Sequence, residues 1–453
     1  MESAGTINNL KVEINNRQIL SIALPITLAI LIPQINMLTN SIFLGHLGTD
    51  ALGNAGITGV FYLIFAVAGH GFNNALQTVF SRYAGSGQPD LFKIIFSQGI
   101  RIALQFALAG IAFTWLIAPF IMQEVADPKH YDAEMNFLKI RILGLPFLYI
   151  FQLGNAFLVA SLNSRYLMIA FLFETLVNVL LDYLLIFGNW GFPEMGFSGA
   201  AVASVLAEFT GMLVLIAVLR FTGLQKKYAL PGNLRFNKTF NKEIIRVSLP
   251  LVAQYMISVT TWLIFFLLIE GRGIEAKAIS NVMRNVFGIA GVFVWAFAST
   301  TSAMVSNLMG QQREQEVIKL VKRITLWSIG LCFVMVGTLN LFPELFFRLF
   351  GQSSAFIEQG IPVIRVVSLG LLLMSVANIW LNAVTGTGKT TINLMIEVVA
   401  ISLYLLYTYY FMKVNYISLS MAWSNEFVYW SSVFIMSAAY IYTKKWQTKI
   451  KKP

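Results

Sequence analysis

Charge is scarce in this chain. Asp, Glu, Lys and Arg make up 12% of its 453 residues, while hydrophobic residues make up 57%. An average soluble domain carries about twice that share of charge, so a soluble globular protein is excluded. Cysteine is nearly absent. The single Cys332 excludes a disulfide within the chain and sits in an apolar run, where it reads as a buried thiol. Histidine is rare too: His46, His70 and His130 are scattered without metal-ligand spacing. No soluble domain survives between the apolar runs, since the longest polar stretch extends only from about Gln225 to Lys242. With no nucleotide-binding domain among the segments, a primary pump is not expected. The first eighteen residues, MESAGTINNLKVEINNRQ, lack a short apolar core followed by small residues, so no cleavable signal is expected.

What remains is apolar and periodic. A spanning helix needs about 20 mainly apolar residues. Segments that qualify run approximately 18–41, 53–79, 92–120, 136–160, 167–188 and 197–221, then 244–269, 279–307, 316–342, 361–384, 391–412 and 416–442. All are expected to be helices, because lipid offers no water to satisfy free backbone groups. The fold class is therefore an all-α integral membrane protein with twelve transmembrane helices.

The two sets of six are copies. Ala23-Leu24-Pro25-Ile26 matches Ser248-Leu249-Pro250-Leu251, 225 residues later. Gly48, Asp50 and Ala51 match Gly273, Glu275 and Ala276 at that offset, as Gly85 matches Gly310. Later Arg141 pairs with Arg365 and Glu174 with Glu397. Six is an even number, so both halves enter the membrane from the same side and are parallel repeats. Such repeats typify secondary transporters, with a site near mid-membrane. The expected organisation is an N-terminal segment 1–17, a first lobe 18–221, a basic linker 222–243, a second lobe 244–442 and a basic tail 443–453.

The net charge of +11 has a direction. With the N-terminus taken as cytoplasmic, 22 of the 32 Lys and Arg fall on that side, seven outside and three within segments. This asymmetry predicts a multi-pass protein with both termini cytoplasmic, in the plasma membrane, or the inner membrane of a Gram-negative cell. Nucleic acid is not an expected partner, because no basic face lies on a soluble module. A monomer is expected.

Three patterns, in order, carry a resemblance. The first is Gly45-His46-Leu47-Gly48-Thr49-Asp50-Ala51-Leu52-Gly53-Asn54-Ala55-Gly56. The second runs from Gln77 to the polar turn Ala84-Gly85-Ser86-Gly87. The third is Gly199-Ala200-Ala201-Val202-Ala203-Ser204. Together with twelve segments in two halves, they make residues 15–445 resemble the multidrug and toxic compound extrusion (MATE) family. The resemblance implies a V-shaped pair of six-helix lobes around a central cavity. It also implies cation-driven export of amphipathic, often cationic, organic compounds.

Polar residues inside the segments carry the candidate chemistry. Asn178 and Asp182 are four apart and stack on one face of a helix. An intramembrane carboxylate marks an ion or proton path by default. The alternative is an Asp near a helix end, close to Gly188 and capped by water or loop amides. By resemblance, Asn178 and Asp182 match the family's cation site. Asn40 stands where the family usually carries Asp, and Ser204 matches a helix-six hydroxyl. Asn40 and Ser204 could equally be an interhelical hydrogen bond and a packing residue. An amide can ligate a cation through its oxygen but takes up no proton at ordinary pH. That leaves two options: Na⁺ at Asp182 and Asn178, or one proton on Asp182. No other metal or cofactor is expected. In the second half, the positions where some relatives carry acids read Ser258 and Met374. The repeat partners of Asn178 and Asp182 lie near the apolar Ile401 and Leu405. Coupling is therefore expected in the first half alone.

Glu174 and Glu397 follow Arg165 and Lys389 by nine and eight residues, and are expected to tie helices to basic loop residues. Arg284 either holds a salt bridge near a rim or lines the cavity. Glu208 and Glu426 carry no assigned role. Pro33 should bend or break the first helix. Gly386-Thr387-Gly388-Lys389-Thr390 is no phosphate loop, since Ala383 stands where the pattern needs Gly.

The reading is a secondary antiporter, not an enzyme, that exports small organic compounds driven by a proton or Na⁺ gradient. Aromatic and Met side chains would line its cavity. The rivals are a lipid-linked oligosaccharide flippase of the same superfamily, with Arg101, Arg284 and Arg365 as its candidate cavity cations, and a membrane-embedded transferase.

Overall fold

The computed structural model describes residues 10–125, 127–349, 354–414 and 418–447, so the first nine residues and Lys449, Lys451 and Lys452 of the tail lie outside the described residues. Among the described residues there is helix and loop but no strand. The long helices of the first half are α1 (Asn16–His46), α2 (Thr49–Gly85), α3 (Phe92–Leu116), α4 (Tyr131–Ala160), α5 (Leu167–Phe187) and α6 (Gly196–Phe221). The second half has α7 (Lys238–Glu270), α8 (Ile274–Gly310), α9 (Val317–Leu341), α10 (Ser354–Gly386), α11 (Thr390–Tyr409) and α12 (Asn425–Thr443).

Among the described residues, eleven helices are long and apolar enough to cross a membrane. The segment expected at 416–442 is the exception. It is broken at Ser424 into a short helix, Leu419–Trp423, and α12, which opens on Asn425 and Glu426 and carries several Tyr and Ser. The break has a packing reason. It buries Trp423 completely between Phe265 and Phe287, with its indole N–H donating to Ser280 Oγ at 3.1 Å. Many large apolar side chains point outward elsewhere, among them Leu108, Leu176, Phe333, Leu406 and Ile435. Exposed apolar surface on that scale needs lipid around it.

The duplication is written in the backbone. Helices α2 and α8 each run 37 residues, and α3 and α9 each run 25, all 225 residues apart. The 3₁₀ turns Pro89–Leu91 and Glu314–Glu316 precede α3 and α9 alike. Gly48 (φ 112°) and Gly273 (φ 106°) open α2 and α8 in the same conformation. With ψ near 170°, that region is essentially closed to residues with a Cβ, so the repeat keeps glycine there. Nothing lies within 4 Å of a Cβ added at Gly48, so only backbone strain opposes a substitution. Gly48→Ala should lose about 1–3 kcal/mol of stability by thermal unfolding in detergent. Gly45→Ala, inside α1 and equally uncrowded, should lose nothing. Equal losses in both would show that strain at Gly48 is not the cause.

The chain forms two compact units, one built on Leu24–Val252, the other on Lys11–Ala23 and everything from Ala253 onward. Within the second, the segment before α1 is strapped down: Val12 N donates to Asn307 Oδ1 (3.0 Å), Gln311 Nε2 to Val12 O (3.0 Å) and Arg323 Nη1 to Ile14 O (2.5 Å). Within the first, the segment before α7 is held the same way. Gln98 exchanges bonds with Arg235 O (2.9 Å) and Asn237 N (3.1 Å), and Arg101 Nη1 donates to Leu234 O (3.0 Å). Gln98 and Arg323 are themselves repeat partners. Helix α1 runs unbroken through Pro25 and Pro33. Pro33 costs the ladder one donor without ending the helix.

Candidate functional site

Helix α6 carries a stripe of small buried residues one turn apart, Gly199, Ala203, Ala207 and Gly211. This stripe lets α5 approach closely. A Cβ at Gly199 would stand 2.6 Å from Leu185 O, and one at Gly211 would stand 2.9 Å from Glu174 Oε2. The packing fixes the rotation of α5 and turns Asn178 and Asp182 inward, where both are buried.

Facing them on α1 is a second pair one turn apart, Asn36 and Asn40. Asn36 Nδ2 donates to Asn178 Oδ1 at 2.6 Å, and Asn40 Nδ2 donates to the same oxygen at 3.2 Å. The amide oxygens of Asn36 and Asn40 are left buried without a hydrogen-bond donor, as are both carboxylate oxygens of Asp182. Four buried acceptor oxygens without a donor are costly. They are also the ligand type of a hard cation such as Na⁺, and two of them belong to a carboxyl group that can take a proton. The set therefore fits either coupling ion. Asn40 falls where sequence placed it, beside Asn178. Ser204 is half-buried on α6 and makes no hydrogen bond to the other three among the described residues. Asn36 was missed, although its spacing of four from Asn40 was a legible signal.

A second polar cluster lies in the same unit. Arg141 on α4 grips Glu208 on α6 with both nitrogens, Nη2 to Oε1 at 2.6 Å and Nη1 to Oε2 at 2.9 Å. Tyr62 on α2 donates to Glu208 Oε1 at 2.8 Å while its ring lies 3.7 Å under the guanidinium. Gly144 makes the room, since a Cβ there would meet Glu208 Oε2 at 2.0 Å. Glu174 borders this cluster through Gly211, and its Oε2 is buried without a donor. The expected tie from Glu174 to a basic loop residue is not formed: Arg165 instead bonds and stacks on Tyr166.

The repeat-related Glu397 has no basic partner either. Its carboxylate is fully buried on α11. Oε1 accepts from Ser258 Oγ on α7 (2.5 Å) and Tyr429 OH on α12 (2.5 Å), and Oε2 from Gln254 Nε2 (3.4 Å). It faces the bundle, where the loop Lys389 cannot follow. Arg284 is exposed, makes no salt bridge among the described residues, and lies 5.8 Å over the Phe266 ring, so the expected salt bridge is not formed. Cys332 is buried, as expected.

Comparison with known proteins agrees with this construction. The family model MatE matches the chain twice, over residues 25–184 and again over 250–410, which is the 225-residue duplication seen from Pro25 and Pro250. The probable multidrug resistance protein NorM of Thermotoga maritima is 25% identical over 395 residues, covering 85% of this chain and 83% of that one. Its namesake in Synechocystis is 22% identical over 395 residues, with 85% of each covered. Among solved structures, a MOP superfamily transporter from Pyrococcus furiosus superposes with a TM-score of 0.86 at 14% identity, over 98% of this chain and 100% of that one. A MATE crystal structure in the straight conformation gives 0.87 at 13% identity over the same shares. A helical membrane fold in two homologous halves, each matching one family model, leaves a single assignment: the chain belongs to the MatE family of membrane transporters, which are not enzymes.

Proposed function

We propose that the protein is a secondary multidrug antiporter of the plasma membrane, with both termini cytoplasmic. It exports small amphipathic, cationic organic compounds while a proton or Na⁺ moves inward at Asp182. The observation that carries this reading is the set of buried acceptor oxygens on Asp182, Asn36 and Asn40 without donors. Asn178 buttresses α1 by accepting from both of its amides. Amide and carboxylate oxygens alike are ligands for Na⁺, whereas a proton would satisfy Asp182 alone. The relatives' names, probable multidrug resistance proteins, support drugs as the substrates. The flippase reading has less support, because Arg101, one of its three candidate cavity cations, is held by the linker.

The test is efflux of a panel of cationic dyes from vesicles under a proton gradient, an Na⁺ gradient or none. Export of at least one dye under one gradient, and none without, is the expected result. Restoring an acid with Asn40→Asp should shift the drive toward protons. Export that ignores both gradients would refute ion coupling.

A further inference from the structure

The half without the Asp182 cluster holds an ionisable centre of its own. Glu397 is fully buried, and each of its hydrogen-bond partners is neutral. Behind it, Asn393 Nδ2 donates to Gln254 Oε1 (2.5 Å), leaving Asn393 Oδ1 buried without a donor. The titratable groups nearest on the packed elements are Tyr429 itself, Glu426 one turn earlier on α12 and Tyr404 two turns along α11. Glu426 accepts only from Trp430 Nε1 (2.9 Å). Among the described residues, neither Glu397 nor Glu426 forms an ion pair. Isolated charge at such a depth is costly, and with no cation at hand this residue sheds its charge only by carrying a proton.

The cluster also has a part with two resting places. The Ser258 hydroxyl has one hydrogen and two acceptors in reach, Glu397 Oε1 at 2.5 Å and the carbonyl of Gln254 on its own helix at 2.8 Å. When Glu397 is charged, Ser258 serves the carboxylate and ties α7 to α11. When Glu397 is neutral, the hydroxyl turns back to the Gln254 carbonyl on α7 and keeps a partner. Tyr429 links α12 to the same carboxylate oxygen. A hydroxyl that keeps an acceptor in both charge states is not stranded when the carboxyl gains or loses a proton.

We propose that Glu397 is a second proton-carrying site, in the half of the chain that lacks Asp182, and that its charge state sets the grip of α7 and α12 on α11. On release, the carboxyl O–H bond breaks, the electron pair stays on the carboxylate and the proton passes to water. The sequence hid this site because a search for acids on the helices used by relatives finds Ser258, which here serves as the acid's partner. Its use in transport rests on the antiporter reading above; its protonation does not.

Infrared spectroscopy of the purified full-length protein, titrated with pH in the absence of any gradient, reads protonated buried carboxyls directly. The wild type should show a titrating carboxyl band that disappears in Glu397→Gln and survives in Asp182→Asn. Tyr429→Phe retains the acid but removes a donor to it, so the band should persist and move to higher frequency. Ser258→Ala removes the donor that serves the charged form alone, so the band should keep its frequency and titrate at higher pH. A band unchanged by Glu397→Gln, or unmoved by Tyr429→Phe, would overturn the assignment. With the band assigned, proton-driven dye efflux in vesicles should lose one titrating step in Glu397→Gln. An unaltered pH profile would remove Glu397 from the transport cycle.

Discussion

Asp182→Asn is expected to abolish gradient-driven efflux while leaving the protein folded and able to bind substrate. Asn is nearly the same shape as Asp and keeps one acceptor oxygen, but it neither titrates nor carries charge. The native carboxylate is buried and accepts no hydrogen bond among the described residues, so no structural bond is lost there in the exchange. Because both oxygens already lack donors, the variant should be as stable as the wild type or more so. Concentrative efflux in vesicles should fall to background, with thermal unfolding and dye binding unchanged. Normal efflux by this variant would place coupling elsewhere, with Glu174, Glu397 and Glu426 examined next.

The second large effect is on stability and arises 67 residues apart in sequence, at the Arg141–Glu208 pair. Both side chains are largely buried, at 14% and 7% exposure. Removing one partner of a buried pair leaves an uncompensated charge and costs about 3–5 kcal/mol. Arg141→Met should therefore lower the apparent Tm in detergent by several degrees. Arg141→Lys keeps the charge but not the two-pronged grip or the stacking on Tyr62, and should fall between. Replacing both groups, Arg141→Met with Glu208→Leu, should recover most of the loss, because it removes the orphaned charge. A double variant as unstable as the single one would show that packing, not charge, holds α4 to α6.

The parts of this molecule that were legible in its sequence are those that the bilayer or the duplication imposes. Span lengths follow from membrane thickness, and the paired glycines Gly48 and Gly273 follow from one backbone requirement copied twice. Asn178, Asp182 and Asn40 could be found because polar residues are conspicuous in apolar runs. Their partners could not, because which residues face each other across helices depends on helix rotation and depth. Those are set by features such as the small-residue stripe of α6, not by hydropathy. So the sequence overlooks Asn36, gives Glu397 basic partners that lie elsewhere, and shows Arg141 only as the repeat partner of Arg365 although it grips Glu208. The segment at 416–442 read as one span because its average is apolar. The burial of Trp423 that breaks it is a tertiary event.

The proposed antiport exchanges an ion for an organic cation through the Asp182 cluster. Antiport is reciprocal, so a substrate gradient must be able to drive the ion. The most direct measurement loads proteoliposomes with an exported dye, imposes no ion gradient, and follows internal pH and Na⁺ as the dye leaves. Dye exit should draw protons or Na⁺ inward in the wild type, and should draw neither in Asp182→Asn. Dye exit with no ion entering, or ion entry that persists in Asp182→Asn, would contradict it.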